Sequence, residues 1–160
     1  MNQTARPTRS TELELTRLFR APVQALWRCW SEPALFAKWW APSPVLTRDV
    51  VLDLRAGGRL SAMQQTPDGA QDVTEYCILA TEPGRMIVLT DMLTHGFRPA
   101  VQPDIGFTAT VHINAESGGA RYTVRLTHAD AAKAARHEAL GFHETWGIAA
   151  SQLGALAESL

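Results

Sequence analysis

The chain has 160 residues, 46% of them hydrophobic and 19% charged, with a formal net charge of −1, the size and composition of one ordinary globular domain. It has no Lys/Arg block for a nucleic-acid backbone, no run of about 18 apolar residues for a membrane span, and no apolar stretch after Arg6 and Arg9 that would make a signal peptide. Cys29 and Cys77 stand outside any CxxC or Cys/His metal spacing, which predicts two reduced thiols in a cytoplasmic protein.

Met1 to Thr11 is polar and reads as a disordered tail ahead of a domain over residues 12–160. Glu12 to Arg20 alternates, with Leu13, Leu15, Arg17 and Phe19 on one face of a strand. Pro22 suits a first helical turn, and Val23, Leu26, Trp27 and Trp30 follow at helical spacing. Ser31 is placed to cap a second short helix bearing Leu35, Phe36, Trp39 and Trp40, which Ala41-Pro42-Ser43-Pro44 ends.

Strands and turns come next. Val45–Leu54, Arg59–Gln65, Asp72–Ala80, Arg85–Met92, Ile105–Ala115 and Ala120–His128 read as strands, separated by turns such as Pro67-Asp68-Gly69, Glu82-Pro83-Gly84 and Ser117-Gly118-Gly119. Leu93 to Asp104, with Gly96, Pro99 and Pro103, reads as an irregular loop. From Ala131 to Leu160 the residues Phe142, Trp146, Ala149, Leu153, Leu156 and Leu160 recur at steps of three and four. That spacing predicts one long helix with Asp130 as N-cap and Glu144, Gln152 and Glu158 on its far face. The order βααββββββα predicts an α+β fold in which a curved antiparallel sheet of about seven strands wraps a long C-terminal helix.

This order is that of the helix-grip arrangement of the START-like (SRPBCC) superfamily, and short motifs narrow the match. Arg17-Leu18-Phe19-Arg20-Ala21-Pro22, Phe36-Ala37-Lys38-Trp39-Trp40-Ala41-Pro42, Asp53-Leu54-Arg55-Ala56-Gly57-Gly58 and Glu82-Pro83-Gly84-Arg85-Met86 occur in that sequence. Together with Arg136 to Gly147 they resemble the family named for the activator of heat shock protein 90 ATPase homologues. The resemblance runs from about Leu13 to Leu160. It implies a helix-grip fold; the eukaryotic co-chaperone of the family carries a second, larger domain, for which this chain has no room.

The aromatic cluster Trp27, Trp30, Phe36, Trp39 and Trp40 is the densest in the chain. Trp27 and Trp30 suit plain core packing. Adjacent helical residues diverge by about 100°, so one of Trp39 and Trp40 is expected at a cavity mouth or a partner surface. Arg17, inward by parity, needs a carboxylate such as Glu138 or Asp91, or an anionic ligand group. His128 shares parity with Tyr122, Val124 and Leu126 and is the better cavity candidate, whereas His112 sides with Thr108 and Thr110. His137 and His143 are six residues apart, unsuited to a two-His metal site; Glu144 and His137, on a helix bordering the cavity, remain candidates for an acid/base pair with a strand residue or for solvated or hydrogen-bonded helix positions. Nothing signals a nucleotide, redox or metal cofactor.

The expected function is therefore binding of an apolar small molecule between sheet and terminal helix. The expected lining is Leu15, Arg17, Val50, Val88, Phe107, Val111, Val124, His128, Phe142 and Trp146, with Trp39 or Trp40 and the Leu93 to Asp104 loop at the mouth. The alternatives are a polyketide-cyclase or hydrolase-like enzyme using the same cavity, with Arg17, His128 or Glu144 moving protons, and a co-chaperone-type interaction protein using a surface around Trp39-Trp40. No nucleic-acid or membrane partner is expected, and a homodimer is compatible with the pattern.

Overall fold

Apolar alternation along seven segments builds one antiparallel sheet, seen in a computed structural model that describes residues 10–160. The first nine residues of the expected tail lie outside the described residues, while the Thr11 carbonyl accepts the His128 backbone N–H at 2.9 Å. The strands are β1 (Glu12–Phe19), β2 (Leu46–Leu52), β3 (Arg59–Gln65), β4 (Gln71–Glu82) and β5 (Met86–Thr90), then β8 (Phe107–Glu116) and β9 (Gly119–His128). Between them, β6 (Leu93–Thr94) and β7 (Arg98–Pro99) form a separate two-stranded ladder. The large sheet has the order β1-β9-β8-β5-β4-β3-β2. Its curved face grips the C-terminal helices, the helix-grip architecture expected.

Sheet register decides which side chains reach the interior. Leu89 pairs with Ala109 and Ile87 with Val111, and all four are buried. Val88, between them, pairs with Thr110 on the opposite face, because successive strand residues alternate. The expected lining by Val88 is thus corrected; the unbroken apolar run Ile87-Val88-Leu89 carries no alternation from which to choose a face. In β2 a register shift between Arg48 and Val51, with Asp49 at φ 52°, interrupts the alternation, and Val50 is left only partly buried against the core.

The stretch expected as an irregular loop is more ordered. The β6–β7 ladder closes around a 3-10 turn at His95–Phe97, with Gly96 at φ 74°. Asp91 anchors its base: the buried carboxylate accepts the backbone N–H groups of Ile105, Gly106 and Phe107 at 2.8–2.9 Å. Asp91 is therefore committed to the backbone and does not pair with Arg17.

Helix α1 (Val23–Ser31) is followed by α2 (Pro33–Phe36), whose N-cap is Glu32 rather than the expected Ser31. The long terminal helix is in fact two. α3 (Ala131–Ala139) starts where Asp130 accepts the Lys133 N–H at 2.8 Å, as expected, and α4 (Phe142–Glu158) begins after a break. Gly141 makes the break, adopting φ 97°, a left-handed conformation that glycine reaches without steric cost. Among the described residues no helix is long and apolar enough to cross a membrane.

α4 lies close on β1 because its contact face is small. A Cβ at Gly154 would stand 2.4 Å from the Phe19 ring, and one at Gly147 would stand 3.4 Å from an Arg17 guanidinium nitrogen. Phe142, Ala149, Ala150, Leu153 and Ala157 are buried beside these glycines, so the packed stripe is wider than the expected one, and its last member, Leu160, is exposed.

Candidate functional site

Trp30, fully buried, is the hub on which the segment after α2 folds. Its ring centroid lies 5.0 Å from Trp39 and 5.8 Å from both Phe36 and Trp40. Trp39 is fixed further by its indole N–H, which donates to the Cys29 carbonyl at 2.8 Å. Trp40 stacks on Phe36 with centroids 4.7 Å apart and presents its edges to Tyr76 and Trp146, 6.1 and 6.0 Å away. Both tryptophans are buried, with neither turned to open solvent. The 100° divergence on a helix does not apply, because regular helix ends at Phe36 and the turn beyond it lets both rings fold inward.

Gln152 of α4 locks this segment in place. Its amide nitrogen donates to the carbonyls of Trp39 and Ala41 at 3.0 and 2.8 Å, and its oxygen accepts the Ser43 N–H at 2.9 Å. Sequence periodicity put Gln152 on the solvent face; its amide instead satisfies three backbone groups that have no partner in helix or sheet.

Between this segment, α4 and the far ends of β3 and β4 lies a cavity of about 420 Å³, within the range of roughly 300–1,000 Å³ usual for small-molecule sites. Trp39, Trp40, Tyr76, Tyr122, Trp146, Ala149 and Ala150 form its apolar walls, while Gln64, Thr66, Gln71 and Asp72 of the β3–β4 hairpin and Thr145 of α4 supply its polar groups. A second chamber of about 200 Å³ shares Gln64, Asp72, Tyr76, Thr145 and Trp146 with it and continues past Phe107 and Phe142 to Thr74, Asp104 and His137. Burial, with smaller contributions from Asp91 and Asp72, holds the Asp104 carboxyl above its ordinary range. Burial likewise raises the Tyr76 phenol far above its ordinary value.

Behind the inner chamber two histidines touch. His128 Nε2 is 2.9 Å from His137 Nδ1, and His128 Nδ1 is 3.0 Å from the Thr11 carbonyl. The two ring planes cross at 74°, edge to face, and Phe107 covers His137 with its ring centroid 5.4 Å away. Burial, reinforced by the neighbouring His128 and opposed by Asp91, depresses His137 to about 4, so it is neutral at pH 7.

The expected site residues divide accordingly. Trp39, Trp40 and Trp146 line the outer cavity, and Phe107, Phe142 and Trp146 the inner chamber. Val111 and Val124, both wholly buried, and Leu15 are packed in the core away from either space, since the middle of the sheet is filled by side chains. His128 backs His137 rather than lining the chamber itself. Arg17 rests in an open groove on the outer side of α4 with His143, Glu144 and Gly147. Its guanidinium donates to the Thr16 carbonyl at 3.0 Å and pairs with neither Glu138 nor Asp91. Of the two helix candidates for a pair with a strand residue, Glu144 lies in that groove, whereas His137 meets His128 of β9. Among the described residues no group of three His, Cys, Asp or Glu side chains is placed to hold a metal. Tyr76, Tyr122 and Gln152 were not singled out as cavity residues; inward parity in β4 and β9 marks the two tyrosines, whereas Gln152 carried no sequence signal.

The sequence matches the family described as Activator of Hsp90 ATPase homolog 1-like protein over residues 20–158. A crystal structure of a protein from Nitrosomonas europaea superposes with a TM-score of 0.87 at 34% identity, covering 92% of this chain and 94% of the other. One from Mycobacterium smegmatis gives 0.78 at 26% identity, with 94% and 92% covered. An AHSA1-like protein from Aeromonas hydrophila, at 19% identity and a TM-score of 0.72 over 92% of both chains, shares the fold. No functionally curated protein matches the chain.

Proposed function

We propose that this chain, which belongs to the Activator of Hsp90 ATPase homolog 1-like family, binds an apolar small molecule in the cavity between Trp40, Tyr76 and α4. The START-like fold of the family commonly holds hydrophobic ligands. The observation that carries the proposal is the cavity itself: about 420 Å³ of space walled by three tryptophans and two tyrosines. Aromatic walls release ordered water when an apolar body displaces it, at roughly 25 cal/mol per Å² buried. Gln152 holds the wall in position before any ligand arrives, so little ordering entropy opposes binding.

Native mass spectrometry of the purified protein, followed by denaturing extraction, tests the proposal. A co-purifying apolar molecule of a few hundred daltons is the expected result. Empty protein that also gains no thermal stability from a panel of apolar compounds would overturn it, because a ligand selective for the folded state must raise the melting temperature.

A further inference from the structure

The contact between the two histidines fixes which nitrogen carries each proton. A carbonyl only accepts, so at 3.0 Å from the Thr11 oxygen His128 Nδ1 must carry hydrogen. In neutral His128 the other nitrogen, Nε2, is then a bare acceptor. Its partner 2.9 Å away, His137 Nδ1, must therefore be the donor. That leaves His137 Nε2 without hydrogen. Among the described residues no donor reaches it, although His137 is only 4% exposed and lines the inner chamber. Nε2 keeps access to the space of the chamber, and a ligand that displaces water from it must offer a donor in its place.

A second group in the same chamber is also unfilled. Thr74 Oγ1 is buried beside the Tyr76 phenol and has no partner in hydrogen-bonding geometry. A hydroxyl can donate to an acceptor such as His137 Nε2 and can accept from a donor such as the Thr74 hydroxyl. A carboxylate can only accept, and it would enter a chamber already lined by Asp72 and Asp104.

Resting on the binding proposal above, we infer that the ligand is an apolar body ending in a hydroxyl group, and that the Thr11–His128–His137 chain selects it by presenting His137 Nε2 as an acceptor. The ring-lined outer cavity takes the apolar body and the inner chamber takes the hydroxyl. His128 is a positioning residue: it never touches the ligand, and it acts by holding the His137 tautomer.

The test compares two probes of nearly equal shape, 2-naphthol and 2-methylnaphthalene, by titration calorimetry at pH 7. The wild-type protein is expected to bind 2-naphthol about tenfold more tightly, the size of one well-made hydrogen bond in a buried site. His137→Phe is expected to abolish that preference while still binding 2-methylnaphthalene. Equal binding of the two probes by the wild type would overturn the hydroxyl inference and leave the apolar-binding proposal standing; binding of neither would overturn both. Tighter binding of 2-naphthoate or 2-naphthylmethylamine than of 2-naphthol would also overturn it, by showing that charge rather than a hydroxyl is recognised.

His137→Phe strips His128 of its partner and is open to misfolding, so a measurement on the wild type decides independently. Imidazole 15N shifts are expected to show His137 protonated at Nδ1 and bare at Nε2, with the Nε2 signal moving when 2-naphthol is added. A proton on His137 Nε2 in the free protein, or a signal indifferent to 2-naphthol, would overturn the inference.

Discussion

Trp40 and Trp146 meet edge to face with ring centroids 6.0 Å apart, joining the segment after α2 to the C-terminal helix across the cavity. Ala149, one turn further along α4, lines the same space and is the natural place to fill it. Ala149→Phe is expected to occupy the outer cavity and weaken binding of 2-methylnaphthalene by at least about tenfold. Because the added ring enters existing space rather than a packed core, the melting temperature is expected to hold or rise. Calorimetry and a thermal scan on the same preparation check both halves.

The Gln152 amide gives a second prediction. Gln152→Leu leaves the Trp39 and Ala41 carbonyls and the Ser43 N–H without their present partner. At about 1 kcal/mol for each lost bond, stability to urea is expected to fall by roughly 2–3 kcal/mol. Acrylamide should also quench tryptophan fluorescence more strongly, as Trp39 and Trp40 loosen.

Helix propensity and packing make opposite forecasts at Gly154. Alanine is better in a helix by about 1 kcal/mol, yet its Cβ would stand 2.4 Å from the Phe19 ring. Gly154→Ala is therefore expected to destabilise by about 1–3 kcal/mol. Gly147→Ala meets only the tip of Arg17, at 3.4 Å, and is expected to be neutral or mildly stabilising. Urea midpoints of the two variants decide between packing and propensity.

Stability should also carry the signature of His137. Its folded pKa is about 4, below the ordinary 6.5, so between those values the unfolded chain takes up a proton that the folded protein refuses. The stabilising contribution is full above about pH 6.5 and is lost as pH falls towards 4. His128 and Asp91 are the ionisable neighbours that act on His137, the first lowering and the second raising its pKa. Urea unfolding at pH 7, 5.5 and 4.5 is expected to show a steeper loss for the wild type than for His137→Phe.

The fold was legible because its signals are local. Alternation marked the seven sheet strands, Asp130 marked the start of the terminal helical region, and the order of elements pointed to the helix grip. The break at Gly141 was missed because the apolar stripe begins only at Phe142, just after it, and a backbone conformation is not a periodicity. Val88 was misplaced because Ile87, Val88 and Leu89 are equally apolar. Trp39, Trp40 and Trp146 stood out as large aromatics at a motif and on a stripe. Gln152 and the His128–His137 contact did not, since each depends on segments that meet only after folding. Gln152 reaches Trp39 across 113 positions, and Thr11 reaches His128 across 117.

The most direct test of apolar binding at this cavity is an NMR titration with 2-methylnaphthalene, following backbone amides and the indole N–H signals of the five tryptophans. Saturable shifts centred on Trp40, Tyr76, Thr145, Trp146 and Ala149 are predicted. A spectrum that does not change, or shifts confined to the Arg17 groove on the other side of α4, would contradict it.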